Sequence, residues 1–303
     1  MLNPSLVVMA AGLGSRYGSL KQMDHFRSNG ESIVDYIIYD ALAAGFQKIV
    51  FVIRKAIEEE FRMIYHNKLS TKADVHYVFQ EINCLPKNMK VPTGRERPWG
   101  TGHAVWMAES AVDGPFGVVN ADDFYGRKSL SLLFLKLREM NNDSLSGCII
   151  GYILKNTLSD FGSVSRAVCD VNSKGFLRSI TERTNIISNK GDIGYIENER
   201  LFPLTGQELV SLNLMGLSST TFKLIRDGFT DFYNNLSDPM RSEFYIPTVF
   251  DLMIKKGIDI PVIKTTDTWV GITYKEDKLV VHKKIQALIN EGIYPEKLWE
   301  STL

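Results

Sequence analysis

Apolar and polar positions in the first half of the chain follow two interleaved patterns. Leu6 to Ala10, Lys48 to Ile53, Val75 to Gln80 and Gly117 to Asn120 are short apolar runs without alternation, which predicts strands buried on both faces. Between them, residues 31–45 carry Ile33, Tyr36, Ile37 and Ala41 at helical spacing and close on Gly45, a helix stop. Ala56 to Tyr65 predicts a polar-faced helix, residues 104–111 a short one with Ala104, Val105, Ala108 and Ala111 inward, and Lys128 to Met140 another. Connections of this length between strands are crossovers, so a parallel sheet with helices on both faces is expected.

From Gly147 the pattern changes. Cys148 to Leu154 predicts a strand, Ser163 to Val171 and Phe176 to Glu182 alternate across the turn Asn172-Ser173-Lys174-Gly175, and Leu209 to Leu217 is a further strand-like run. That is antiparallel architecture, expected to extend the parallel part into one mixed sheet. Helices near 219–235 and 244–257, a strand over 259–266 and a terminal helix over 275–291 complete the reading. The expectation is one domain over 1–303, with a parallel half (1–146), an antiparallel half (147–274) and a helical tail (275–303).

Composition narrows the function classes. With 303 residues, 44% apolar and 23% charged, the chain can bury a full core. Thirty-five basic residues balance thirty-five acidic ones, so no global field recruits nucleic acid or an anionic membrane. Cys84, Cys148 and Cys169 lack C-x-x-C spacing and read as reduced thiols. No signal-peptide pattern precedes the first strand, no apolar run approaches 18 residues and no hexapeptide repeat follows the terminal helix. A cytoplasmic, soluble protein is expected; the sequence leaves a homo-oligomer open.

The candidate chemistry starts where the first strand ends. Gly12, Gly14 and Gly18 punctuate a loop that also carries Arg16 and Lys21. A side-chain-poor loop at the carboxyl end of a buried strand lets backbone N–H groups close on an anion, and two cations suit a triphosphate. It is neither a dinucleotide fingerprint, since Tyr17 stands where a third glycine belongs, nor a P-loop, since Gly18 is followed by Ser19-Leu20. Residues 82–99, rich in Pro, Gly, Lys and Arg, form a long loop read equally as a lid or as a solvated surface or subunit contact. It leads into Trp99-Gly100-Thr101-Gly102-His103-Ala104-Val105, whose glycines allow a flat ring close to the backbone; His103 reads as a helix N-terminal residue beside the site. Paired acids at a strand end, Asp122-Asp123, are costly unless a cation meets them, and Mg²⁺ with a triphosphate is the natural partner. Asp123 reads as a supporting residue or a helix cap. No G-x-S-x-G elbow or Cys–His pairing points to a covalent nucleophile.

With Ala10-Ala11-Gly12-Leu13-Gly14-Ser15-Arg16 and Lys21, the chain resembles the nucleotidyltransferases that make nucleoside-diphosphate sugars. The resemblance implies a three-layer, Rossmann-like (glycosyltransferase-A-like) α/β fold with a mainly parallel mixed sheet and an antiparallel sugar-binding part. It implies that Ala10, Ala11, Gly12 and Gly14 contact the nucleotide, and that Gln80, Gly100, Thr101 and Gly102 bracket the base. Arg16, Lys21 and Asp122 become the catalytic set, with Mg²⁺ on Asp122, and Gly162, Glu182 and Asn213 the acceptor set. The implied partners are an NTP and a phosphorylated small molecule, a sugar 1-phosphate first.

One departure stands out. Family members carry a second acidic or amide metal ligand two residues after a tryptophan, and here Trp269-Val270 is followed by Gly271. Either Asp267 completes the site, or Asp122, phosphates and water hold the metal, or the two-metal arrangement is absent. Three rivals stay open: the same reaction on phosphocholine or a molybdenum cofactor precursor, a glycosyltransferase of related fold, and a non-catalytic nucleotide-sugar sensor.

Overall fold

The structure is a computed structural model that describes residues 3–12, 30–189, 191–271 and 277–300. Its centre is β1 (Ser5–Met9), every residue of which is buried. Leu6 and Val8 enter one apolar layer while Val7 and Met9 enter the opposite one, which is why the run does not alternate in polarity. Around it β2 (Lys48–Ile53), β3 (Asp74–Phe79) and β4 (Phe116–Asn120) pair in parallel in the order β3-β2-β1-β4. Helices α1 (Ile33–Ala44), α2 (Glu58–Leu69), α4 (Arg127–Glu139) and α7 (Asp277–Asn290) pack into the first layer. Helices α3 (Thr101–Met107), α5 (Thr221–Asn234) and α6 (Ile246–Lys255) fill the second. The fold is a three-layer mixed α/β sandwich with parallel core strands.

Local chemistry sets the ends of α1. Asp35 Oδ2 accepts from the Ser32 backbone N–H at 2.7 Å, and Gly45 closes the helix in the left-handed region at φ 114°. A side chain at Gly45 would also meet the Phe134 ring of α4, 2.7 Å from an added Cβ.

The antiparallel half comprises β6 (Gly147–Ile153), β7 (Val164–Val171), β8 (Leu177–Asn189), β9 (Asp192–Glu197), β10 (Arg200–Leu204), β11 (Leu209–Ser211), β12 (Met215–Leu217) and β13 (Val262–Lys264). One twelve-stranded sheet joins both halves in the order β10-β9-β8-β7-β11-β6-β12-β4-β1-β2-β3, with β13 paired to β6. A separate ladder links β5 (Asp123–Phe124) to β14 (Val270–Gly271).

Three expectations change. The strand predicted over 176–182 runs on to Asn189 and, beyond it, β9 and β10 form a hairpin the pattern did not announce. Its Ile196, Leu201 and Phe202 are exposed, so no half-buried alternation marks it. The run over 209–217 divides at Leu212–Leu214, because Asn213 turns left-handed at φ 61°. Asparagine is among the few non-glycine residues that tolerate that region. Both pieces stay on β6, but β11 pairs outward with β7 and β12 with β4. The sheet therefore forks at Asn213. Among the described residues no helix is long and apolar enough to cross a membrane, and the three cysteines are free.

Candidate functional site

The fork opens a divided cleft beside the end of β4. One part, a cavity of about 300 Å³, lies over the carboxyl end of β1 and is walled by Ala11, Gly12, Gln80, Gly100, Thr101 and Glu243. The other, about 200 Å³, lies over the antiparallel strands and is walled by Asp123, Arg166, Glu182, Ser211 and Trp269. Asn120, Asp122 and Asn213 line both. Asn213 Nδ2 donates to Asn120 Oδ1 at 3.2 Å, bridging the fork above the half-buried Asp122.

In the first part, Gln80 is buried where β3 ends, and its Nε2 donates to Gly100 O at 2.9 Å and lies 3.3 Å from His103 Nδ1. His103 Nε2 lies 2.7 Å from Cys84 O, and burial lowers the imidazole pKa to about 4, so the ring is a neutral structural link. Gly100 and Gly102 have a reason in the packing that the sequence did not show. An added Cβ at Gly100 would lie 2.6 Å from Phe244 O, and one at Gly102 would lie 2.5 Å from the Phe244 ring. Both glycines admit Phe244 from the α5–α6 connection. The Gly102 N–H donates to Phe244 O at 2.8 Å, and Gly102 does not line the cleft. Ala10 is wholly buried behind the cleft wall, its N–H donating to Val52 O at 2.8 Å.

The loop over 82–99 is pinned. Arg95, 3% exposed, donates to the carbonyls of Arg97, Pro98, Pro239 and Ser242 and lies 3.7 Å over the Trp99 ring. Trp99 Nε1 donates to Ile82 O at 2.8 Å. Of the loop, Pro98 reaches the cleft.

The second part is a charge cluster around the buried Arg166 and Asp123. Arg166 donates to Thr157 O, Thr157 Oγ1 and Ser165 O, and its guanidinium lies 4.4 Å from the Trp269 ring centre. Burial lowers its pKa to about 10 against the attraction of Asp123, Glu182 and Asp277. Burial, and then the charge of Asp122, raises the pKa of Asp123, whose Oδ2 accepts from Asn120 Nδ2 at 2.7 Å. Burial also raises that of Glu182. Asp123 is thus not a helix cap: α4 starts after Gly126, and Asp267 caps it, Oδ2 accepting from Ser129 N–H at 2.7 Å. That bond and the Ser129 hydroxyl at 2.9 Å occupy Asp267, which lines a different cavity from the one Asp122 lines. At Gly271 an added Cβ would lie 2.2 Å from the Trp269 ring and 2.7 Å from Asp123 Oδ1, so no acidic side chain fits.

This donor set decides what metal fits. No cluster of three or more His, Cys, Asp or Glu able to cage a metal exists among the described residues. Asp122, the carboxylate that lines both parts of the cleft, fits a Mg²⁺ that arrives mostly coordinated by phosphate and water.

The expected site residues Gln80, Gly100, Thr101, Ala11, Gly12, Asp122, Glu182 and Asn213 converge on the divided cleft. Gly162 does not; it is exposed in the turn before β7, bridged to Ser159. Gly14, Arg16 and Lys21 lie outside the described residues. Sequence reasoning missed Arg166, although its phase with Val164 and Val168 placed a cation in an apolar slot of the strand.

The whole fold has a known counterpart. The inositol-1-phosphate CTP transferase from T. maritima superposes with a TM-score of 0.60 at 15% identity, over 95% of this chain and 96% of that one. At that identity the likeness establishes the fold. No family profile matches the sequence, and no curated protein matches it.

Proposed function

We propose that this protein transfers a nucleotidyl group from an NTP to a sugar 1-phosphate or a similar phosphorylated polyol. The observation that carries the reading is the divided cleft meeting at Asp122, with a part walled by small residues, Gln80 and the Arg97-paired Glu243 on one side and a more polar part holding Arg166 and Glu182 on the other. The base and ribose belong in the part beside Gln80 and Gly100. The acceptor belongs beside Glu182, Asn213 and Ser211, whose carboxylate, amide and hydroxyl supply the acceptors and donors that sugar hydroxyls need.

An oxygen of the acceptor phosphate attacks the α-phosphorus, the bond from that phosphorus to the bridging oxygen breaks, and pyrophosphate leaves. A phosphate monoester with second pKa near 6 is already a dianion at neutral pH, so positioning and charge neutralisation suffice. Arg16 holds the leaving β- and γ-phosphates, and Lys21 spans the acceptor phosphate and the α-phosphate. Asp122 holds Mg²⁺, which when bound neutralises charge on the phosphates. Asn120 and Asn213, bonded to each other, line both parts of the cleft together with Asp122.

The test is pyrophosphate release from each NTP with a panel of sugar 1-phosphates and inositol 1-phosphate, the fold counterpart's named acceptor. Turnover is expected for at least one pair. It should fall by ~10²–10³ in Lys21→Ala and in Asp122→Asn with the fold retained, the size typical of contacts made at the transition state. NTP binding without turnover on any acceptor would leave a sensor instead.

A further inference from the structure

Hydrogen-bond polarity at Gln80 is fixed by its neighbours. Cys84 O can only accept, so His103 Nε2 carries the ring hydrogen and Nδ1 of the neutral imidazole is a bare acceptor. Gln80 Nε2 lies against two acceptors, Nδ1 at 3.3 Å and Gly100 O at 2.9 Å. Both amide hydrogens are therefore used inside the protein, and Oε1 is the atom left for the cleft. Glu243 lines the same cavity, its carboxylate 2.9 Å from Arg97 Nε. A carboxylate has about four lone-pair sites, so this ion pair leaves it able to accept more. The hydroxyl of Thr101, whose oxygen accepts from Ile246 N–H at 2.9 Å, is the side-chain donor at this end; Met9, Ala11, Pro98 and Ala104 are apolar.

Resting on the proposed reaction, we infer that the protein selects NTPs whose base carries an exocyclic amino group, with Gln80 Oε1 and the Glu243 carboxylate as its acceptors. Cytosine, adenine and guanine each present such hydrogens. Uracil and thymine keep an N3–H that Gln80 Oε1 can accept, but they place a carbonyl oxygen where cytosine has its amino group; that oxygen against Glu243 leaves two acceptors facing each other, so Glu243 makes the discrimination. A site built to hydrogen-bond one group rejects an analogue lacking it, because its own polar atoms are left unpaired.

Isothermal titration of the full chain with CTP, ATP, GTP, UTP and dTTP, in Mg²⁺ and without acceptor, tests this. At least one of CTP, ATP and GTP should bind on the order of 10- to 100-fold more tightly than UTP and dTTP. Glu243→Gln, which supplies an N–H at the same place, should narrow that gap at least about fivefold by improving UTP binding. Arg97→Met breaks the same ion pair without adding a donor and should keep the preference. UTP or dTTP binding as tightly as the best amino-bearing NTP overturns the inference, as does an unchanged ratio in a folded Glu243→Gln. If that variant does not fold, the wild-type ratios decide. No binding of any NTP removes the proposed reaction and this inference with it.

Discussion

The two parts of the cleft share Asp122 but are stabilised by opposite means. Beside β1 the wall is mostly small residues with one amide and the Arg97-paired Glu243, and its shape depends on Phe244 closing on Gly100 and Gly102 with no room for a methyl group. Beside β7 and β8 the wall is a buried guanidinium near the buried Asp123 and the more exposed Glu182, and its stability depends on buried charges being compensated. The difference teaches where each part is fragile. A steric change should damage the first part and a charge change the second.

The largest effect is expected from Arg166→Met. Methionine fills much of the arginine volume but leaves the carbonyls of Thr157 and Ser165 without that donor and the buried Asp123 without its nearby cation, a loss of ~3–5 kcal/mol on the scale of a buried charge left uncompensated. Urea denaturation at pH 7 reads this out. Adding Asp123→Asn should restore part of the loss, because it removes the uncompensated charge. A loss below about 1 kcal/mol for Arg166→Met would show that the charge cluster does not hold this part together.

The same contrast explains what was legible in the sequence. The parallel half followed from β1, whose unalternating run fills both apolar layers, and from Gly45, whose position ends a helix for a local reason. The strand-end positions of Gln80 and Asp122 were legible because the carboxyl ends of parallel strands gather on one side of the sheet. The pinning of the loop over 82–99 was not, since Arg95 binds carbonyls of Pro239 and Ser242, about 145 residues away. Nor was the β9–β10 hairpin, whose Gly194 and Pro203 break strand pattern and whose apolar residues face outward. The fork at Asn213 needed the backbone angle of one residue inside an otherwise strand-like run. Local causes were readable; tertiary ones were not.

The steric side of the comparison is tested by Gly102→Ala. One methyl group 2.5 Å from the Phe244 ring should cost ~1–3 kcal/mol, the usual price of overpacking. Pairing it with Phe244→Leu should recover stability relative to the sum of the single changes, since the smaller side chain vacates the contested space. Ser165→Ala, exposed in the charged part, should stay within about 0.5 kcal/mol. Additive losses in the double variant would mean that the glycine serves something other than Phe244.

A smaller effect than those of Arg166 and Gly102 concerns a buried acid of the parallel half, and it asks whether that half holds a charge in its core. Asp40 on α1 is 1% exposed; its Oδ2 accepts from the Tyr294 hydroxyl at 2.6 Å, and its Oδ1 meets no hydrogen-bond partner among the described residues. Burial raises its pKa from 3.8 to about 7, outweighing the Tyr294 hydrogen bond and the attraction of Arg127. Between pH ~4 and ~7 the native state therefore holds a proton that the unfolded chain has lost, so this group's contribution to stability falls as pH rises and levels off above ~7. Asp40→Asn mimics the protonated acid and keeps an oxygen for Tyr294. It should leave stability nearly unchanged at pH 4 and raise it by ~1–2 kcal/mol at pH 8, once the cost of burying the new amide is subtracted. Denaturation curves for both proteins at pH 4, 6 and 8 decide it. An equal difference at all three values would mean that Asp40 does not titrate there, and that the parallel half also carries a stable buried charge.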